Sequence, residues 1–162
     1  MSAAYSPADW TGFFVAETGA AAALTGLVIV AMSINLAMLV QDKSLSSRAG
    51  ETVSLLAGLL VFSTFAIVPG QPDWVLGYEI LATGLVVWIG TTIMSARGGR
   101  HPKEPPLLRE CITHGASIPV VVAGISLLTR TGGGLYWLVP AVVMALVGGV
   151  LNTWVLLVEV LR

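Results

Sequence analysis

The chain has 162 residues, 56% of them hydrophobic and 10% charged, with a net charge of −1 and a mean hydropathy of +0.87. Soluble domains carry about 25% charged residues, and a bilayer-crossing helix takes about 20 apolar ones, so this composition excludes a water-solvated fold and leaves no length for a soluble domain beside the spans. Eight basic and nine acidic residues without a basic run exclude a nucleic-acid surface or an electrostatic lipid switch.

The opening residues, MSAAYSPADW, have neither a basic n-region nor a short apolar core ahead of a cleavage site, so no removable signal peptide is expected. Five apolar stretches then read as an all-α, polytopic integral membrane bundle in one transmembrane domain, with spans at about 11–40, 52–68, 74–96, 107–129 and 135–161. The first opens on Ser6-Pro7-Ala8-Asp9, a hydroxyl, a proline and an acid in the order that starts a helix. At about 46 Å it is longer than the hydrocarbon layer, so it tilts or projects. QDKSLSSRAGE, PGQPD, RGGRHPKEPP and RTGGG read as the connections, since proline, glycine and charge oppose helix continuation there. Pro105-Pro106 opens the fourth span.

Lys43, Arg48, Arg97, Arg100, Lys103, Arg109 and Arg162 fall on one side of this arrangement and Arg130 on the other. The positive-inside rule then puts the N-terminus outside and the C-terminus in the cytoplasm, as expected for a multi-pass protein of a bacterial inner membrane. Tyr5, Trp10, Trp74, Tyr78, Tyr136 and Trp137 gather at the outer level, where aromatic rings prefer to sit.

The polar residues sort into two layers. Glu17, Glu79 and Arg130 form a candidate outer cluster; Asn35, Glu110, His114, Ser117 and Asn152 form a candidate inner pocket. Glu17 and Asn35 are five helical turns apart on one face, with Ala21, Leu24, Val28 and Ala31 between them, a dry stripe suited to helix packing. Gly19, Ala23 and Gly26 lie nearby and permit close approach. A charge at mid-bilayer costs about 3 kcal/mol, and Glu17 has two readings: a protonatable site, or a shallow carboxylate that reaches water or pairs with Arg130 and orients the bundle. The second is preferred for its depth. Glu51 and Glu159 have interfacial explanations at helix ends, and Asn35 and Asn152 read as interhelical hydrogen-bonding residues.

Glu110, His114 and Ser117 share a helical face at i, i+4 and i+7, with Cys111 one step round, and Pro119 frees the carbonyl of Gly115 beside His114. A proton relay or a metal ligand is the sharper reading of this pocket. A hydrogen-bonded interior histidine with an interfacial acid is the plainer one, and it is preferred because one histidine, one cysteine and one glutamate do not close a metal site. No cofactor is expected. The lone cysteine cannot form an internal disulfide, and phosphate-loop, dinucleotide, HExxH and GxSxG motifs are absent, so no enzymatic activity is expected.

Residues 13–26 (FFVAETGAAAALTG), Ser33-Ile34-Asn35-Leu36 and Val68-Pro69-Gly70-Gln71 resemble a family of small five-helix bacterial membrane proteins of actinobacterial type. The resemblance covers the first half of the chain. It implies a five-helix fold in which Glu17, Asn35 and the Pro69-Gly70-Gln71 turn belong to the pattern, without a catalytic or binding role; some members are labelled modulators of the FtsH protease. The function expected is a non-enzymatic assembly or regulatory module acting through helix contacts, a homo-oligomer in the lipid bilayer with another membrane protein as a further partner and no nucleic acid. The alternative is a proton or cation channel or transporter using Glu17, Glu79, Glu110 and His114. A third reading is a membrane cofactor protein using His114 and Cys111.

Overall fold

The computed structural model describes residues 3–98 and 106–159, and every regular element among them is helical. Two 3₁₀ turns, Ala3–Tyr5 and Pro7–Trp10, lead into α1 (Thr11–Ile34), α2 (Leu36–Gln41), α3 (Lys43–Ala66), α4 (Asp73–Gly98) and α5 (Pro106–Thr129). A third 3₁₀ turn (Gly134–Trp137), α6 (Leu138–Trp154) and a π turn (Val155–Glu159) complete it. Five helical stretches are long and apolar enough to cross a membrane, the form of a multi-pass membrane protein.

Two expected boundaries shift for local reasons. The first span is not one helix to residue 40: it breaks at Asn35 (φ −104, ψ 20), whose side chain donates to the carbonyls of Ala31 at 3.1 Å and Leu156 at 2.7 Å. The second helix begins at Lys43, so most of QDKSLSSRAGE is helical rather than a connection. Asp42 causes this by accepting from the backbone N–H groups of Ser44 (2.8 Å) and Leu45 (3.3 Å), after which lysine, leucine, arginine and alanine are adequate helix formers. Ser6, by contrast, makes no side-chain cap; Pro7 alone opens the turn that feeds α1. In the third connection, Arg100, His101, Lys103 and Pro105 lie outside the described residues, as does Arg162.

α3 is the central helix, packed against α1, α4 and α6; α5 lies between α4 and α6. α1 and α4 are peripheral, with 22% and 17% of their most apolar windows buried against 50% for α3. The core runs along this arrangement through Phe14, Leu56, Phe62, Leu76, Ile80, Leu135 and Leu138. As the five-turn spacing predicts, Glu17, Ala21, Val28, Ala31 and Asn35 are the buried face of the first span. α4 and α5 run antiparallel at backbone contact: Gly77, Leu81 and Gly84 of α4 face Leu128, Gly124 and Val121 of α5. The GGVLN segment of α6 also brings other helices close: Gly148 lies against Ile112 of α5, and Gly149 against Leu56 of α3 and Leu24 of α1.

The RTGGG connection is built on left-handed backbone, with φ of 53 at Arg130 and 85, 107 and 56 at Gly132, Gly133 and Gly134. Ser126 stitches it to α5 by donating to the Thr131 carbonyl and accepting from Gly134 N at 2.8 Å. The amino-terminal turns dock there, since Gly133 N donates to the Tyr5 hydroxyl at 3.1 Å and Trp10 stacks edge-on against Tyr136 at 4.9 Å. The six aromatics singled out above are thus at the end of the bundle that carries the N-terminus.

Candidate functional site

The inner pocket separates into distinct contacts. Asn35 ties α1 to the turn after α6 through Leu156. Asn152 ties α6 to α3: its Nδ2 donates to Thr52 Oγ1 at 2.7 Å and its Oδ1 accepts from the Arg48 guanidinium at 2.9 Å, while Thr52 donates to the Arg48 carbonyl. His114 joins α5 to α4, with Nδ1 accepting from Trp88 Nε1 at 3.3 Å. Ser117 is buried and donates to the Thr113 carbonyl of its own helix. Glu110 and Cys111 are exposed. Interhelical hydrogen bonds in membranes average about 0.6 kcal/mol each, so Asn152→Leu, which removes two, is expected to cost about 1 kcal/mol in reversible unfolding in mixed micelles; no measurable loss would mean that the α3–α6 seam rests on apolar packing alone.

The outer cluster separates as well. Arg130 pairs with Asp73, not Glu17, at 3.3 Å, with most of its side chain exposed. Glu79 accepts from the Gln71 amide. α1 packs on α3 and α6, α4 on α3 and α5, so Glu17 and Glu79 are on helices with α3 between them. The reading of Glu17 as a carboxylate that reaches water or pairs with Arg130 is therefore corrected. Its side chain is 4% exposed, and neither carboxylate oxygen has a hydrogen-bond partner. It is buried because it continues the packing stripe of α1, with Phe14 and Ala21 fully buried on either side along the same face.

Glu51 was also misplaced by sequence reasoning. It stands in the third turn of α3, not at its start, is 3% exposed, and accepts from Ser47 Oγ at 3.2 Å, while Ser47 donates to the Met94 carbonyl of α4. The signal available was the Ser47–Glu51 spacing of four, which places both on one face of a helix that starts at Lys43.

A small void of about 10 Å³, room for at most one water, lies among α3, α4, α5 and α6 and is lined by Thr83 and Ser117 with apolar residues. None of Glu17, Glu79, Glu110 and His114 lines it. Among the described residues no group of three or more histidine, cysteine or acidic side chains converges as a metal site would require. The strongest departure from an ordinary helical bundle is Glu17. Comparison of the chain with family models, curated proteins and solved structures finds no match.

Proposed function

We propose that the chain is a non-enzymatic membrane module that assembles with further copies of itself through the outer face of α1. The carrying observation is a run of small exposed residues, Gly12, Ala16, Gly19, Ala23 and Gly26, alternating in steps of four and three. A Cβ added at Gly12, Gly19 or Gly26 would meet nothing within 4 Å. This floor runs between exposed Val15 and Ile29 on one flank and Leu27 and Ile34 on the other. Such a groove at heptad spacing suits an identical helix supercoiled left-handedly against it. The exposed face of α4 differs, carrying Tyr78, Val86, Ile89 and Ile93, bulk suited to lipid contact.

Copies inserted in one orientation relate by an axis along the membrane normal, so α1 meets α1 in parallel. Lys43, Arg48 and Arg97 at one end of the bundle and Arg130 at the other support an N-terminus outside and a cytoplasmic C-terminus in a bacterial inner membrane. The assembly or regulatory role, with another membrane protein such as a membrane-anchored protease as the regulated partner, follows the resemblance of residues 13–26, 33–36 and 68–71 to the five-helix family. The alternative of a proton or cation pathway has one favourable observation, the isolated Glu17, but Glu79, Glu110 and His114 each stand on a separate helix contact or surface.

Native mass of the protein in nanodiscs tests the assembly. The wild type is expected as an oligomer, and Gly19→Leu and Gly26→Leu as monomers whose protomer stability changes by less than about 0.5 kcal/mol, the range of surface substitutions. A monomeric wild type sinks the reading.

A further inference from the structure

We propose that Glu17 and Ser63 form a proton-binding site between α1 and α3, loaded from a cleft at the amino-terminal end of the bundle. The two residues are matched in depth by the register of the helices. Ala31 of α1 clusters with Ala49 of α3, and Leu24 and Leu56 both close over Gly149. Seven residues are two helical turns, about 10.5 Å, so the next step along these antiparallel faces brings Glu17 level with Ser63.

Both are buried and both lack partners. Ser63 is 0% exposed, and its hydroxyl makes no hydrogen bond. Its neighbours behave otherwise: Thr18, Thr25 and Ser33 of α1 and Thr52 and Thr64 of α3 each donate to the carbonyl four residues back. A carboxyl and a hydroxyl left over at one level of one seam satisfy each other when the carboxyl carries a proton, for the acid then has a donor to offer and an oxygen to accept with. A bare carboxylate there would be an uncompensated charge, because among the described residues no cation faces it. The charged residues of α3 are Lys43, Arg48 and Glu51, all in its first nine residues at the far end; α6 has none over Leu138–Trp154; and Asp9, ahead of α1, is exposed.

The route for the proton is short. A cleft of about 400 Å³ opens at this end, lined by Thr11, where α1 begins, by Ala66, where α3 ends, and by polar Ser6, Gln71 and Asp73, the last held by Arg130. Thr11 and Ala66 stand six and three residues from Glu17 and Ser63, and the fully buried ring of Phe14 lies between those levels. Phe14 is thus the partition between the cleft and the acid.

The test is modification of the full chain in nanodiscs with dicyclohexylcarbodiimide, an apolar reagent that adds to carboxyls in their acid form, followed by peptide mapping. One adduct is expected, on Glu17, with an extent at about pH 6 exceeding that at about pH 10 by about tenfold or more. Glu17→Gln is expected to abolish it, Ser63→Ala to keep it with a displaced pH midpoint, and Phe14→Ala to admit a water-soluble carbodiimide that does not reach the wild type. An unmodified Glu17 peptide, an extent equal at both pH values, or protection by sodium or potassium at constant pH, which would make a metal cation the ligand, overturns the proposal. These readouts come from the wild-type peptide map, so they stand even where a variant fails to fold, and they do not depend on the oligomeric state.

Discussion

Gly124→Ala is expected to cost the fold about 2–3 kcal/mol, or to prevent it from forming. On intrinsic grounds the change should help, since alanine is favoured over glycine by about 1 kcal/mol inside a helix. The packing reverses the sign. A Cβ at Gly124 would sit 2.7 Å from the backbone N and Cα of Leu81, and one turn along the same seam Gly84 would bring a Cβ within 3.0 Å of Val121 N. These are main-chain atoms of the opposing helix, so relief requires α4 and α5 to separate as rigid bodies and lose the contacts of their whole seam. Gly90→Ala on α4 is the matched control: a Cβ there meets nothing within 4 Å, and it is expected to leave stability unchanged or raise it by about 0.5–1 kcal/mol. Reversible unfolding in mixed detergent micelles separates the two. A Gly124→Ala protein as stable as the wild type would show that the α4–α5 seam yields without loss.

Replacing Glu17 with an apolar side chain of similar volume is expected to stabilise the protein. Made together with Ser63→Ala, so that neither member of the buried pair is left behind, Glu17→Met removes three buried oxygens that have no partner and keeps a flexible chain of comparable length in the stripe between Phe14 and Ala21. An unsatisfied buried polar group costs about 1–3 kcal/mol, which sets the size of the expected gain in the same assay. Glu17→Gln keeps a polar group in the same place and is expected to leave stability close to the wild type. A loss on the paired replacement would mean that the carboxyl is held by a stabilising contact in the bilayer. A gain would identify a position where the chain keeps an acid against its own stability, as sites retained for function do.

Much of the architecture was legible before any coordinates. The five long apolar helices and the face of α1 that turns inward follow from local quantities: twenty-residue apolar runs, the 3.6-residue period and the breakers between runs. Asn35 and Glu17 share a buried face because five turns separate them. The reading of QDKSLSSRAGE as a connection rests on its charges and glycine opposing a helix, while the deciding feature is the single Asp42 cap. Glu51 reads as an interfacial acid at a helix end for the same reason.

The polar partnerships were not legible. In water, an amphipathic helix advertises its inner face by contrast with a polar outer one; in this chain the outward faces are apolar too, and periodicity says little about which helix meets which. Arg130 and Glu17 are at the same end, yet only the helix order places Asp73, rather than Glu17, beside Arg130. Asn152 finds Arg48 and Thr52, and Gly149 lies under Leu24 and Leu56, because α6 packs across α3 and α1. The sequence by itself determined an all-helical chain with five helices long and apolar enough to cross a membrane and the inward stripe of α1, since those depend on residues near in the chain. Only the tertiary structure decided that Glu17 stands buried and unpartnered while Gly12, Gly19 and Gly26 look outward, because burial and isolation are properties of what the neighbouring helices do and do not bring to each face.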